Sequence, residues 1–256
     1  MKYLFLLFFP AIIIVAQEKS ANNDVFTLSV SSRYSTAQIS QGINVSGNQG
    51  TFGNGIILGH SNGLSFSYFN TQLSTGGTLN NAFSAGYSYD FTDFLYGDVD
   101  FSYTSYPNQA INAVAEFSSA LSLSLNADLQ LFDLSLSYEK YFGNGAPSYF
   151  GIGAMKIISS GNWGFIPSFD LTFISQEINY ATAIFKPKSG NSQKAGQSVP
   201  LSGISGVTIG CGVRYGLGKG FSFRFLPQLA FTPKQEIAVR STQLTASIGI
   251  GYTTEF

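Results

Sequence analysis

The chain has 256 residues, a length that a single large β domain can fill. Charged residues make up 11% of it against the usual ~25%, which excludes an ordinary water-facing surface over much of the fold. The formal net charge of −1 gives no basic excess for nucleic acid, and one cysteine, Cys211, excludes a disulfide framework or a cysteine-based zinc site.

The N-terminus starts positive at Lys2 and runs almost wholly apolar over residues 3–16. That run is too short for a spanning helix, which needs ~20 residues, and Ala16 offers a small residue at a cleavage position. Residues 1–16 therefore read as a secretory signal peptide and 17–23 as a short polar segment before the fold. No later apolar run is long enough for a spanning helix.

From residue 24 onward apolar residues recur at every second position. In "AFSAGYSYDF", Phe83, Ala85, Tyr87, Tyr89 and Phe91 oppose Ser84, Gly86, Ser88 and Asp90. In "ALSLSLNADLQL", six apolar residues from Leu121 to Leu131 oppose Ser122, Ser124, Asn126, Asp128 and Gln130. "VTIGCGVRYG" and "GFSFRFLPQLAF" repeat the pattern, with Arg214 and Arg224 on the polar sides. Successive strand side chains point to opposite faces, so each segment has one greasy face and one polar face. Residues 51–60 and 148–158 do not alternate cleanly.

Five connections read as short turns: His60–Gly63, Phe91–Phe94, Leu131–Leu134, Ser159–Asn162 and Gly216–Lys219. Six longer polar connections fall near residues 34–52, 73–80, 107–112, 143–147, 177–202 and 233–241. Short and long alternate along the chain, which implies about twelve strands, within a range of about ten to fourteen, with both ends on one side of a membrane. In lipid every backbone N–H and C=O needs a partner within the protein, so such a sheet must close on itself. The prediction is all-β: a closed antiparallel transmembrane β-barrel over residues 24–256, with short periplasmic turns and longer extracellular loops. Residues 17–23 then lie in the periplasm. Aromatic girdles are expected at both interfaces: Phe91, Phe94, Phe132, Trp163, Tyr215 and Phe221 on the turn side, and Tyr106, Tyr149, Phe173 and Phe231 on the loop side.

The final strand places Leu244, Ala246, Ile248, Ile250, Tyr252, Thr254 and Phe256 on one side. Phe256 would close the barrel against a first strand near Val25–Arg33. With Gly251, Tyr252 and Phe256 in this arrangement, the chain resembles bacterial outer-membrane β-barrel proteins as a class, which commonly end in a glycine, alternating hydrophobes and a terminal aromatic. Thr254 departs from that pattern, where a hydrophobe is preferred. The resemblance implies residence in the outer membrane of a Gram-negative envelope, among lipid and lipopolysaccharide, and recognition of this strand by the barrel-assembly machinery.

Parity assigns Asp90, Asp98, Asp100, Glu116, Asp128, Glu139 and Asp170 to the inside, as an acidic wall on strands five to ten. Arg33, Arg214 and Arg224 form a smaller basic wall on strands one, eleven and twelve. Separated by water, these walls would orient polar solutes as charged pore linings do; in contact, they would plug the lumen with salt bridges. The connection at 176–200 carries Lys186, Lys188 and Lys194, and reads as an inward constriction, a contact for lipopolysaccharide or a partner, or a solvated loop.

No catalytic constellation, metal site or cofactor motif emerges. The one histidine, His60, neighbours Ser61 in a hairpin turn, where hydroxyl and imidazole rarely meet in hydrogen-bonding geometry. Three functions follow from the pattern. The first is a small porin-like transport pore for polar solutes. The second is a non-conducting structural barrel that docks an envelope protein. The third is a barrel enzyme that modifies lipid or lipopolysaccharide.

Overall fold

A strand inside a membrane must find backbone partners on both edges, because hydrocarbon offers none. The computed structural model describes residues 25–37, 39–40, 43–44, 46, 49–105, 119–142, 148–174, 203–231 and 242–256. It meets that demand with twelve wall strands. In chain order these are β1 (Phe26–Ser35), β2 (Thr51–His60), β3 (Leu64–Leu73), β4 (Thr78–Asp90), β5 (Leu95–Ser105) and β6 (Ser119–Asp128). They continue as β7 (Asp133–Tyr141), β8 (Ser148–Met155, prolonged by Ile158–Ser160), β9 (Trp163–Ile174), β10 (Gly203–Gly218), β11 (Phe221–Phe231) and β12 (Thr242–Glu255). Each strand pairs antiparallel with its sequence neighbours, and β1 pairs with β12, so the ring is closed. A small hairpin, Ile39–Ser40 with Ile43–Asn44, stands apart from the wall.

The closing seam runs in unbroken register from Thr27↔Glu255 to Ser35↔Ser247. At its lower end Phe26 N donates to Phe256 O at 3.0 Å, and Phe256 N donates back to Phe26 O at 2.9 Å. The two rings stack with centroids 5.9 Å apart, and His60 meets Phe26 edge-on at 4.6 Å. The terminal Phe thus completes the backbone ladder and also covers it.

The outer face carries the apolar parity of every strand. Phe66, Phe101, Leu123, Phe165, Ile209, Phe225 and Ile250 are all exposed there. In water this would be an aggregation surface, whereas in a membrane it matches the acyl chains. Alternation is cleanest where small residues fill the inside. It blurs in β2, where inward Ile57 interrupts the pattern, yet β2 keeps full register with β1 and β3.

Several expectations need correction. The connection expected over 73–80 is only Ser74–Gly77, because β3 extends to Leu73 and β4 begins at Thr78. Two turns shift by one to three residues, with strands resuming at Asp133 and Phe221, and a third narrows to Gly161–Asn162 within the expected Ser159–Asn162. Tyr149 is not a girdle residue. It is 4% exposed and shares the inward parity of Gly151 and Gly153, since its strand places Phe150 outward. Among the expected girdle members, Phe91, Phe94, Phe132, Trp163 and Phe221 are exposed, and Trp163 packs on Tyr215 at 4.6 Å. Tyr106 and the expected signal peptide lie outside the described residues.

Two measurements test this wall. Phe26→Ala removes both ring contacts at the seam, a loss of about 1 kcal/mol that lowers the midpoint of thermal barrel unfolding by about 2–4 °C. An unchanged midpoint in circular dichroism would count against the seam. Ile209→Arg puts charge on the lipid face and costs about 2–4 kcal/mol at mid-membrane, whereas the adjacent Thr208→Arg points inward and costs far less. Denaturant titration in lipid vesicles reads both, and equal losses would show that the faces are misassigned.

Candidate functional site

Every second side chain of the wall faces the interior, and most of these are Ser, Thr or Gly. Small linings leave space, so the few large or charged inward groups define the site.

The basic groups share one row. Arg33 on β1 is the register partner of Gly249 on β12. Gly249 pairs with Arg224 on β11, and Arg224 pairs with Arg214 on β10. Gly164 on β9 ends the row beyond Arg214. Glycine at 249 has a steric cause: an added Cβ would lie 2.9 Å from the Ser32 carbonyl oxygen and 3.4 Å from Arg33 Cβ. Like charges placed directly opposite each other across strands are destabilising, and Arg214 and Arg224 are so placed.

The acids occupy neighbouring rows on other strands. Asp98 on β5 accepts hydrogen bonds from Ser88 Oγ at 2.6 Å, Ser124 Oγ at 2.8 Å and Asn126 Nδ2 at 2.7 Å. Three donors converging on one carboxylate hold it rigidly. Asp100 sits two residues on, opposite Ser122 of β6, which in turn sits opposite Glu139 of β7. Glu139 is buried, accepts a hydrogen bond from the Tyr141 hydroxyl, and stands beside Tyr149 in the register. The Tyr141 and Tyr149 rings meet edge-on at 5.8 Å. Ser122 Oγ, between Asp100 and Glu139, is buried with no hydrogen-bond partner among the described residues. Asp170 on β9 faces Gly153 and Thr208.

Two acids sit at the turn end instead. Asp90 and Asp128 close β4 and β6 and are exposed. Lys156 Nζ lies 3.3 Å from both Asp128 Oδ1 and Asp133 Oδ1, so part of the acidic charge there is neutralised.

The strand assignment of the charges is corrected. Arg214 and Arg224 lie on the tenth and eleventh strands, not the eleventh and twelfth, with β12 between Arg224 and Arg33, because nine wall strands precede Gly203–Gly218 in the closed ring. The described acids lie on β4 to β9. Glu116, Lys186, Lys188 and Lys194 lie outside the described residues. Of the end-strand residues, Gly251 faces Ser31 and Ser222 in the register, and Tyr252 packs outward on Phe221 at 4.7 Å.

Sequence reasoning missed large interior groups, among them Tyr141, Tyr149, Phe69 and Leu226, and missed Lys156 at the turn end. Phe69 shares inward parity with Ser67 and Thr71, and its ring occupies the space a Cβ of Gly55 would fill. The blurred alternation of residues 51–60 was the available signal. His60 accepts a hydrogen bond from Asn62 N at 3.2 Å through Nδ1 and packs on Phe26. Among the described residues no group of three or more His, Cys, Asp or Glu side chains is placed to hold a metal ion.

No family model matches the chain, and no curated protein matches it. Solved structures do. The KdgM porin covers 88% of this chain with 98% of its own length, at 12% identity and a TM-score of 0.56. The same porin solved in complex with disordered oligogalacturonate gives 12% identity and a TM-score of 0.55. The NanC porin covers the same shares at 10% identity and a TM-score of 0.52. At such identities the likeness is one of fold. Joined to the exposed apolar belt and the closed seam, it makes this chain a transmembrane β-barrel of the bacterial outer-membrane type.

Proposed function

We propose that this protein is a small outer-membrane pore for polar solutes, with acids and bases on opposing parts of its lining. The observation that carries the reading is the row of Arg33, Arg224 and Arg214. In a ring of twelve strands, β11, β12 and β1 lie six positions from β5, β6 and β7, which bear Asp98, Asp100 and Glu139. Fixed charges of opposite sign across a wet gap make a transverse field that orients a dipolar solute as it passes. The cross-strand Arg214–Arg224 pair supports this reading, because side-by-side cations weaken the sheet and packing gives no reason for them.

The fold neighbours with the same architecture are porins, one of them solved with oligogalacturonate. An arginine row suits the carboxylates of acidic solutes through bidentate hydrogen bonds. The reading assigns no catalytic residue and no cofactor. We further propose that the barrel-assembly machinery reads β12 and that lipopolysaccharide surrounds the loop ends, with Lys186, Lys188 and Lys194 as candidate contacts.

A second reading, a non-conducting barrel that docks an envelope partner, draws on the bulk inside: Phe69 over Gly55, and buried Glu139 with Tyr141 and Tyr149. One experiment separates the two. Purified barrel in a planar bilayer under a salt gradient is expected to show stepwise conductance. Arg214→Gln with Arg224→Gln should lower the anion-to-cation permeability ratio roughly fivefold, the factor for about 1 kcal/mol of lost attraction in screened water. Asp98→Asn with Asp100→Asn should move it the other way. A folded, inserted barrel that stays silent sinks the pore and favours the docking reading.

A further inference from the structure

We infer that a second copy of this barrel docks on the lipid-facing side of β2–β4, through a row of side-chain amides. This goes beyond the pore reading and does not depend on conduction.

The outward parity of β2 runs Phe52, Asn54, Ile56, with the two apolar residues about half exposed, at 48% each. Asn54 is exposed between them, and its side chain makes no hydrogen bond among the described residues. Across the strands Asn54 pairs with Asn70, and Asn70 pairs with Asn81. These two are partly satisfied: Asn70 Nδ2 donates to Asn81 Oδ1 at 2.9 Å, and Gln72 Nε2 donates to Asn70 Oδ1 at 3.2 Å. The Tyr68 hydroxyl also donates to Asn81 Oδ1, at 3.0 Å.

The row lies within the apolar belt. Asn70 is seven residues above Gly63, the last turn residue before β3, which at the rise and tilt of barrel strands is about 18 Å up a belt about 25 Å tall. A primary amide facing acyl chains there is costly unless another protein group meets it.

The same patch on another copy is the surface that fits. Each amide carries both donors and an acceptor, so the row complements itself. Among the described residues the only other lipid-facing strand position with a side-chain amide is Gln72, in the same patch, so no different part of the wall offers a match. Two barrels inserted in one direction and related by a twofold axis along the membrane normal bring the row against itself at equal depth. Polar side chains hydrogen-bonding across such an interface are a known source of association in lipid.

The test uses full-length barrel inserted in phosphatidylcholine vesicles free of lipopolysaccharide. Asn70→Cys, at the middle of the row where a twofold axis sets it against its own copy, should give a covalent dimer on mild oxidation in a Cys211→Ser background. The unaltered protein is the control, because its Cys211 faces outward on β10, four strands round the ring, and should form no covalent cross-link. Native mass spectrometry from detergent should show dimer for the unaltered protein and monomer for Asn54→Leu with Asn70→Leu. Gel mobility without heating should show that this variant is still folded. Folded Asn70→Cys protein that does not cross-link, equal cross-linking through Cys211, or dimer persisting in the Leu variant would each overturn the inference. So would a dimer that forms only after lipopolysaccharide is added, since the amides would then serve lipid.

Discussion

Closure of the backbone ladder between β1 and β12 is the interaction on which this structure rests. An open sheet in hydrocarbon would leave a full row of N–H and C=O groups without partners on each edge. The reciprocal hydrogen bonds of Phe26 and Phe256, beneath stacked rings, remove those edges down to the last residue. Once the ring is shut, each position has a defined solvent: acyl chains on one parity, the interior on the other. A residue's chemistry then follows from whether its number is odd or even within its strand.

The interior departs from what stability alone would select. Two arginines sit directly opposite each other, a glutamate is buried beside a serine hydroxyl with no partner among the described residues, and the lining around them is mostly small. Asp98 shows the contrasting treatment, held by three donors from the two strands that flank its own. Such a mixture of satisfied and costly groups is what the proposed pore would carry, because a barrel stabilised only for packing would fill its centre with apolar side chains.

The exterior has an asymmetry of its own. Large apolar residues cover the outside of β10, β11 and β12, while amides interrupt the belt on β2, β3 and β4. The shortest loop-side connection among the described residues, Ser74–Gly77, joins β3 to β4 in that same region. A low rim beside a polar row leaves room for a neighbouring barrel to approach.

Fold class and strand count were legible from the sequence because strand geometry has period two, and lipid punishes any exception on the outer face. The alternation of Leu121–Leu131 or Val207–Tyr215 needs no tertiary information to assign its sides. Other features were decided by the closed ring. The row of Arg33, Arg224 and Arg214 joins residues nearly two hundred positions apart, and only the register across Gly249 aligns them. Tyr149 turned inward because Phe150 claimed the lipid side, and the alignment of Asn54, Asn70 and Asn81 emerged only from pairing between strands. Parity is local and is written along the chain, whereas which residues stand beside one another depends on the stagger between strands, which closure of the whole barrel sets.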